Sequence, residues 1–242
     1  MLKAIEFYSG IGAFADACRD QAIDILAAFD QSQAANLVYE TNFKLRPRSK
    51  NLDTIKASEI PDADLWWLSP PCTPFTVRGN QRDLSDPRAN SFANLVQLIP
   101  QKLPAFILIE NVTAFKFSRA HKLLTEALLR CRYQIDELEL CPTAFGVPMR
   151  RPRHFMVCRR GPVPLVLEPP APVALLSLKQ FLKSHFDDSL VVDRLIVERY
   201  EKGMNIVVED DENAVLICFT RGYWRCRKAS GSMLALADGR VR

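Results

Sequence analysis

The sequence predicts an α/β fold: a doubly wound, mostly parallel sheet carrying a smaller C-terminal region. Three observations lead there. Short apolar runs alternate with helix-period segments up to about residue 158. The chemistry-bearing residues fall just after those apolar runs, at the strand ends where ligands bind in open parallel sheets. Residues 161–176, proline-dense from Gly161 to Pro172, then break the pattern and read as a linker. The expected organisation is a catalytic domain over 1–160, the linker, and a small recognition region over 177–242.

Leu2 to Tyr8 reads as the first strand. It breaks at Ser9-Gly10-Ile11-Gly12, and Ala13 to Ala22 follows with helical character. Strand, glycine turn and helix let a backbone approach a nucleotide-like cofactor and aim N–H groups at it. Ile23 to Phe29 is a second apolar run ending in Asp30. An acid about twenty residues past the glycines is the usual partner of ribose hydroxyls, although Asp30 equally suits the N-cap of a helix over Gln31 to Phe43. Asn51 to Ile55 reads as a short third strand with its loop, and Asp62 to Leu68 as a fourth.

That fourth run delivers Ser69-Pro70-Pro71-Cys72-Thr73-Pro74-Phe75-Thr76. Prolines fix φ and remove donors, so Cys72 sits on a stiff loop that presents one thiol in one place. Read alone, it is equally a proline-rich turn with an incidental cysteine. Gly79 to Ser91 is polar and turn-rich, Phe92 to Leu103 has a helical period, and Ala105 to Ile109 is a buried strand ending at Glu110-Asn111-Val112. Glu110 fits a site acid or the capping carboxylate of a helix over Phe117 to Arg130. Tyr133 to Leu140 and His154 to Cys158 are strand-like, and between them Arg150, Arg151 and Arg153 suggest an anion or base clamp. Ser177 to His185 and Asp193 to Lys202 read as short helices. Asn205 to Val208 and Ala214 to Cys218 read as a small hairpin.

The 242 residues are 48% hydrophobic and 25% charged, enough for a sizeable core. Seven cysteines without a CxxC pair, and only three histidines (His121, His154, His185), argue for reduced thiols and against a zinc cluster. No apolar run reaches membrane-spanning length and the N-terminus lacks signal-peptide character. The expected location is cytoplasmic or also nuclear, with no membrane partner. From Cys218 to Arg242, Arg221, Arg225, Arg227, Lys228, Arg240 and Arg242 face one acid, Asp238. A basic stretch containing Tyr223 and Trp224 suits a polyanion with stackable bases, or is a solvated tail.

In order, then, the loops carry a glycine turn, a ribose acid, a proline-flanked cysteine, an Asn-adjacent glutamate and an arginine cluster. This order is what methylation of cytosine at C5 requires. C5 is a poor nucleophile until a thiolate adds at C6, and a nearby acid shares a proton with N3 of the adduct.

The set resembles the cytosine C5 methyltransferase family, over nearly the whole chain. Tyr8-Ser9-Gly10-Ile11-Gly12 is similar to its cofactor motif, Pro70-Pro71-Cys72-Thr73-Pro74-Phe75 to its nucleophile motif, Glu110-Asn111-Val112 to its acid motif, and Arg151-Pro152-Arg153 to its paired arginines. Asp83 to Phe92, Cys218-Phe219-Thr220 and Lys228 to Leu234 resemble the tRNA-aspartate branch of that family. The resemblance implies a class I, Rossmann-like fold and S-adenosylmethionine as cofactor. It makes Cys72 the nucleophile, Glu110 the N3 acid, and Arg151 and Arg153 the groups that hold the base. Tyr8, Gly10, Gly12 and Pro70 would line the cofactor pocket, with Asp30 on the ribose and Asp53 and Ile55 on the adenine. The implied substrate is a tRNA anticodon loop, tRNA-Asp in that branch, touched by Asn111, Thr220, Arg221, Tyr223, Arg225 and Lys228.

Thr73 stands where the family commonly has glutamine, and Ala13 where it has a third glycine. The sequence ends at Arg242 without the Gly-Asn motif and returning helix of the family. Two other expectations therefore stand beside tRNA methylation: a DNA cytosine methyltransferase, and a chain that binds RNA or a complementing polypeptide without turnover alone.

Overall fold

The structure is a computed structural model that describes residues 1–72, 83–182, 187–220, 223, 231–236 and 238–242. It divides into two compact units, Met1–Glu139 with Arg153–Glu168, and Leu140–Pro152 with Pro169–Arg242. Leu140–Pro152 thus groups with the second unit and 161–168 with the first, unlike the simple break at residue 160 expected from composition.

The first unit is built on a six-stranded sheet. Its strands are β1 (Leu2–Phe7), β2 (Ile23–Phe29), β3 (Leu65–Leu68), β4 (Phe106–Asn111), β5 (Tyr133–Leu140) and, after the two-residue β6 (Met149–Arg150) of the other unit, β7 (Arg153–Arg160). The spatial order is β2-β1-β3-β4-β7-β5. β2, β1, β3 and β4 run parallel, and β7 is antiparallel to β4. The switch of direction between β1 and β3, with β2 on the other side, opens the crevice where ligands bind in such sheets.

Period-2 alternation decides which side of each strand packs where. Ile5, Phe7, Trp66, Leu68, Ile107, Ile109, Met156 and Cys158 point to one face. There they meet Phe92, Leu95 and Ile99 of α3 (Asn90–Lys102) and Leu124 and Leu128 of α4 (Arg119–Arg130). Phe7 stacks on Phe29 at 5.2 Å and meets Trp66 edge-on at 5.1 Å. On the other face, Ala4 and Leu65 pack with Phe14 of α1 (Ala13–Ala17), and Ala28 with Tyr39 of α2 (Gln33–Phe43). α1 ends at Ala17, five residues before the expected Ala22, with the buried Cys18 as its C-cap.

Asn51 to Ile55 forms a turn, not the expected third strand. The Asn51 carboxamide oxygen accepts from the Asp53 N–H at 3.0 Å, a local bond that competes with sheet pairing.

In the second unit, β6 pairs parallel with β9 (Leu216–Ile217), and β8 (Asn205–Val208) pairs parallel with β10 (Ser232–Ala235). The expected hairpin between β8 and β9 is therefore absent, since each takes a distant parallel partner. α5 (Arg194–Tyr200) falls inside the expected 193–202 helix, whereas 177–185 shows only a 3-10 turn, Leu178–Phe181, among its described residues. Leu178, Val207, Ala214 and Leu234 form one small core and Val192, Met233 and Val241 another. No helix among the described residues is long and apolar enough to cross a membrane.

Candidate active site

Strand register builds the site. Phe7 of β1 lies beside Leu68 of β3, and Leu68 beside Ile109 of β4. The residues that follow, Tyr8, Ser69 and Glu110, therefore come to one edge of the sheet, where Tyr8 and Ser69 leave it and Glu110 is still paired with Phe155 of β7. The glycine turn, the cysteine loop and the acid are neighbours because three parallel strands run in this register.

Side chains then tie these loops together. The Ser69 hydroxyl donates to the Tyr8 carbonyl at 3.0 Å. The buried Asn111 amide donates to the Pro70 carbonyl at 3.1 Å, while its oxygen accepts from Val112 N–H at 2.8 Å. Asn111 is thus spent inside the protein. It positions the cysteine loop and is not the substrate contact expected of it, because both ends of its amide are used. Cys72 follows two residues later, a partly exposed free thiol.

Glu110 does not cap a helix; Ser118 caps α4. Its carboxylate instead meets the Arg153 guanidinium, Nε to Oε1 at 2.9 Å, with both side chains about one-fifth exposed (21% and 19%). Arg153 opens β7, which runs antiparallel to β4, and so its side chain comes level with the end of that strand. Arg151 has a different environment, within the second unit. Its Nη1 donates to Cys218 Sγ at 2.9 Å, and its backbone N–H to Cys141 Sγ at 3.4 Å. Burial raises the Cys141 thiol, but hydrogen bonds from Thr143 and the Arg151 N–H outweigh it and hold the group below its ordinary value. The two arginines are thus held by different partners in different units.

A cavity of about 520 Å³ opens at the same sheet edge. Tyr8, Asp30, Asp53, Leu52, Pro71 and Ser91 are among its lining residues. Tyr8 adopts a left-handed backbone conformation (φ 59°), which costs a non-glycine residue on the order of 1 kcal/mol. The strain aims its ring into the cavity, and its hydroxyl meets Ser91 Oγ at 3.0 Å. Burial holds the Tyr8 phenol well above its usual range. Asp30 accepts from Gly10 N–H at 2.9 Å and from Ser32 N–H at 2.8 Å. Ser32, not Asp30, caps α2. Asp30 therefore holds the glycine turn while its carboxylate still faces the cavity.

Other expected cofactor residues act differently. Gly10 (φ +54°) has open space where a side chain would project. Gly12 (φ +96°) is pressed against Phe43, with a Cβ there only 2.3 Å from the ring, so it serves packing and does not line the cavity. Ile55 is buried in the main core, its neighbours being apolar, and its carbonyl accepts from Asn94. Pro70 acts through its carbonyl, and Pro71 is the wall. Pro87, Arg88 and Ser91 also line the cavity; they lie in the polar run that leads into the first turn of α3, but nothing in their spacing marked them as a wall.

In the second unit Thr220 is exposed. Tyr223 packs edge-on against Phe219 at 4.8 Å and joins the Val192–Met233–Val241 core, so its ring is committed to packing. Arg221, Arg225 and Lys228 lie outside the described residues, as do Thr73 to Arg82.

A parallel sheet with this strand order, feeding a glycine turn, an acid after β2 and a cavity at its carboxyl edge, has the class I, Rossmann-like methyltransferase fold. The C-5 cytosine-specific DNA methylase family profile matches residues 2–223, and the chain belongs to that family. Such a family implies a methyl-donor cofactor. A Bos taurus tRNA (cytosine(38)-C(5))-methyltransferase is 38% identical over 181 residues, covering 72% of this chain and 46% of that protein. The Schizosaccharomyces pombe enzyme of the same description is 31% identical over 98% of this chain and 76% of its own. The chain thus spans about half the length of the mammalian relatives it matches. Among solved structures, an Entamoeba histolytica methyltransferase superposes with a TM-score of 0.87 at 28% identity, covering 98% of this chain and 76% of that one. The S. pombe Dnmt2 methyltransferase gives 0.84 at 30%, covering 98% and 78%.

Proposed function

We propose that this chain methylates C5 of a cytosine in a tRNA anticodon loop, using S-adenosylmethionine and a covalent Cys72 adduct. The carrying observation is the shared register of Phe7, Leu68 and Ile109, which brings cavity, thiol loop and acid to one edge. The substrate class rests on the names of the relatives, tRNA (cytosine(38)-C(5))-methyltransferases from mammals, yeast and insect. A loop cytosine is turned into a pocket without opening a duplex.

The cavity residues fit the cofactor. Its volume lies in the range of small-molecule sites. Tyr8, Leu52 and Pro71 supply apolar walls for the adenine. Asp30 has acceptor capacity left for ribose hydroxyls, and Asp53 adds a second acid facing a cationic ligand. When bound, S-adenosylmethionine supplies an electrophilic methyl group.

The protein's own groups do the rest. The Cys72 thiolate adds to C6 of the cytosine, and electron density moves to C5. Glu110, oriented by Arg153 at 2.9 Å, shares a proton with N3 and stabilises the adduct. With the methyl on C5 and the demethylated thioether as leaving group, water would take the C5 proton, the C–H electron pair would re-form the C5–C6 double bond, and the Cys72 thiolate would be expelled. The Arg153 partner keeps Glu110 from swinging away.

The test is methyl transfer from labelled S-adenosylmethionine to total tRNA and, in parallel, to duplex DNA, by the wild-type chain and Cys72→Ala. Label in tRNA alone, lost in Cys72→Ala, is the expected result. Label in DNA alone assigns the substrate to duplex, and labelling that survives Cys72→Ala removes the covalent scheme.

A further inference from the structure

His154 is completely buried (0% exposed), and neither ring nitrogen has a hydrogen-bond partner. A buried imidazole with both nitrogens unsatisfied is costly, and such groups require an explanation. Two others lie within reach of it. Glu137 Oε2 stands 3.8 Å from His154 Nε2, too far for a hydrogen bond, and Glu137 Oε1 meets His121 Nε2 at 2.6 Å. One ligand atom from each of the three lies within 4.8 Å of the others. The fold supplies them from three separate elements: His121 from α4, Glu137 from β5, His154 from β7. The Phe115 ring sits against both imidazoles, at 5.7 and 6.2 Å, and walls the group on one side.

We propose that His121, Glu137 and His154 form a binding site for a divalent cation of the zinc type. Two imidazoles and a carboxylate are a borderline-soft set suited to zinc or cobalt, with a fourth position left to water. Tetrahedral ligands around zinc stand about 3.3 Å apart. The 2.6 Å contact must open and the 3.8 Å gap must close, each by less than 1.5 Å of side-chain movement on fixed elements. Lys116, 3.9 Å from Glu137 Oε2 and half-exposed, turns outward to solvent as the cation enters.

The position gives the site a consequence. His154 pairs across the sheet with Asn111, whose amide holds the Pro70 carbonyl, and Arg153 beside it holds Glu110. A cation on His154 therefore pins the start of β7 directly behind the candidate acid. The sequence carries no metal-ligand spacing at these three residues. Residues 16 and 33 positions from His121 meet only through the sheet.

The test uses the full chain, stripped with a chelator and titrated with Co²⁺, then with Zn²⁺ in a thermal-shift assay. Expected are one cobalt per chain with d–d bands and no thiolate-to-metal charge transfer, since the ligands are nitrogen and oxygen, and a rise in Tm with zinc. His121→Gln and Glu137→Gln, each shown folded by circular dichroism, should weaken binding at least tenfold and lose the Tm rise. Cobalt bands carrying thiolate character, no stoichiometric binding, or unchanged affinity in whichever variant folds would overturn the proposal.

Discussion

Replacing Glu6 with glutamine should change how stability depends on pH. Glu6 lies in β1, 1% exposed, beneath the glycine turn. Its carboxylate accepts from the Tyr39 hydroxyl at 2.8 Å and from the Phe14 N–H. Burial outweighs both bonds and raises its pKa from 4.5 to about 7. The folded protein therefore keeps this proton over a window in which the unfolded chain has released it. Stability from Glu6 is fully present below pH 4.5 and is lost as pH rises through about 7. At 1.36 kcal/mol per unit, the swing is on the order of 3 kcal/mol. Glu6→Gln keeps an acceptor for Tyr39 and Phe14 and does not titrate. Urea unfolding of both proteins across this window should show the variant gaining that much on wild type as pH rises. Taking the difference cancels titrations common to both. Parallel stability curves would refute the argument that Glu6 is buried without a compensating charge.

Arg153→Ala should leave folding intact and lower methyl transfer by about 10²–10³-fold, with Arg153→Lys intermediate; single-turnover rates on tRNA separate this from weakened binding. Asn111→Ala leaves the Pro70 carbonyl without its donor. It should cost about 1–3 kcal/mol by denaturant titration and slow the reaction by displacing the cysteine loop. Gly12→Ala combines a positive φ with a Cβ 2.3 Å from Phe43, and a loss of at least about 2 kcal/mol in thermal unfolding is expected.

Much of the first unit was legible because parallel strands buried on both faces write continuous apolar runs, as Leu65-Trp66-Trp67-Leu68 does, and because ligand loops follow strand ends. Cys72 and Glu110 could be picked out for that reason. What sequence could not show was where side chains spend their bonds. Asn111 and Arg153 both looked like substrate groups, yet one braces a loop and the other pairs with Glu110. Ile55 was a pocket residue only by the family resemblance; beyond the Asx turn at Asn51 its side chain is buried in the core. β8 and β9 looked like a hairpin because pairing at short range is the default, whereas each finds a parallel partner far along the chain.

The cysteine loop is held by its main chain. Ser69 N–H meets the Phe7 carbonyl, the Ser69 hydroxyl meets the Tyr8 carbonyl, and the Pro70 carbonyl meets Asn111. Within the described part of the loop, Ser69 alone contributes a side chain to these contacts, and Pro70 takes part through its carbonyl. The stretch leading to Cys72 is thus specified by Phe7 on β1, by Tyr8 just beyond it and by Asn111 on β4. A substitution on β1 or β4 that shifts the Phe7 carbonyl or the Asn111 amide therefore moves the chain leading to Cys72 without touching the loop itself.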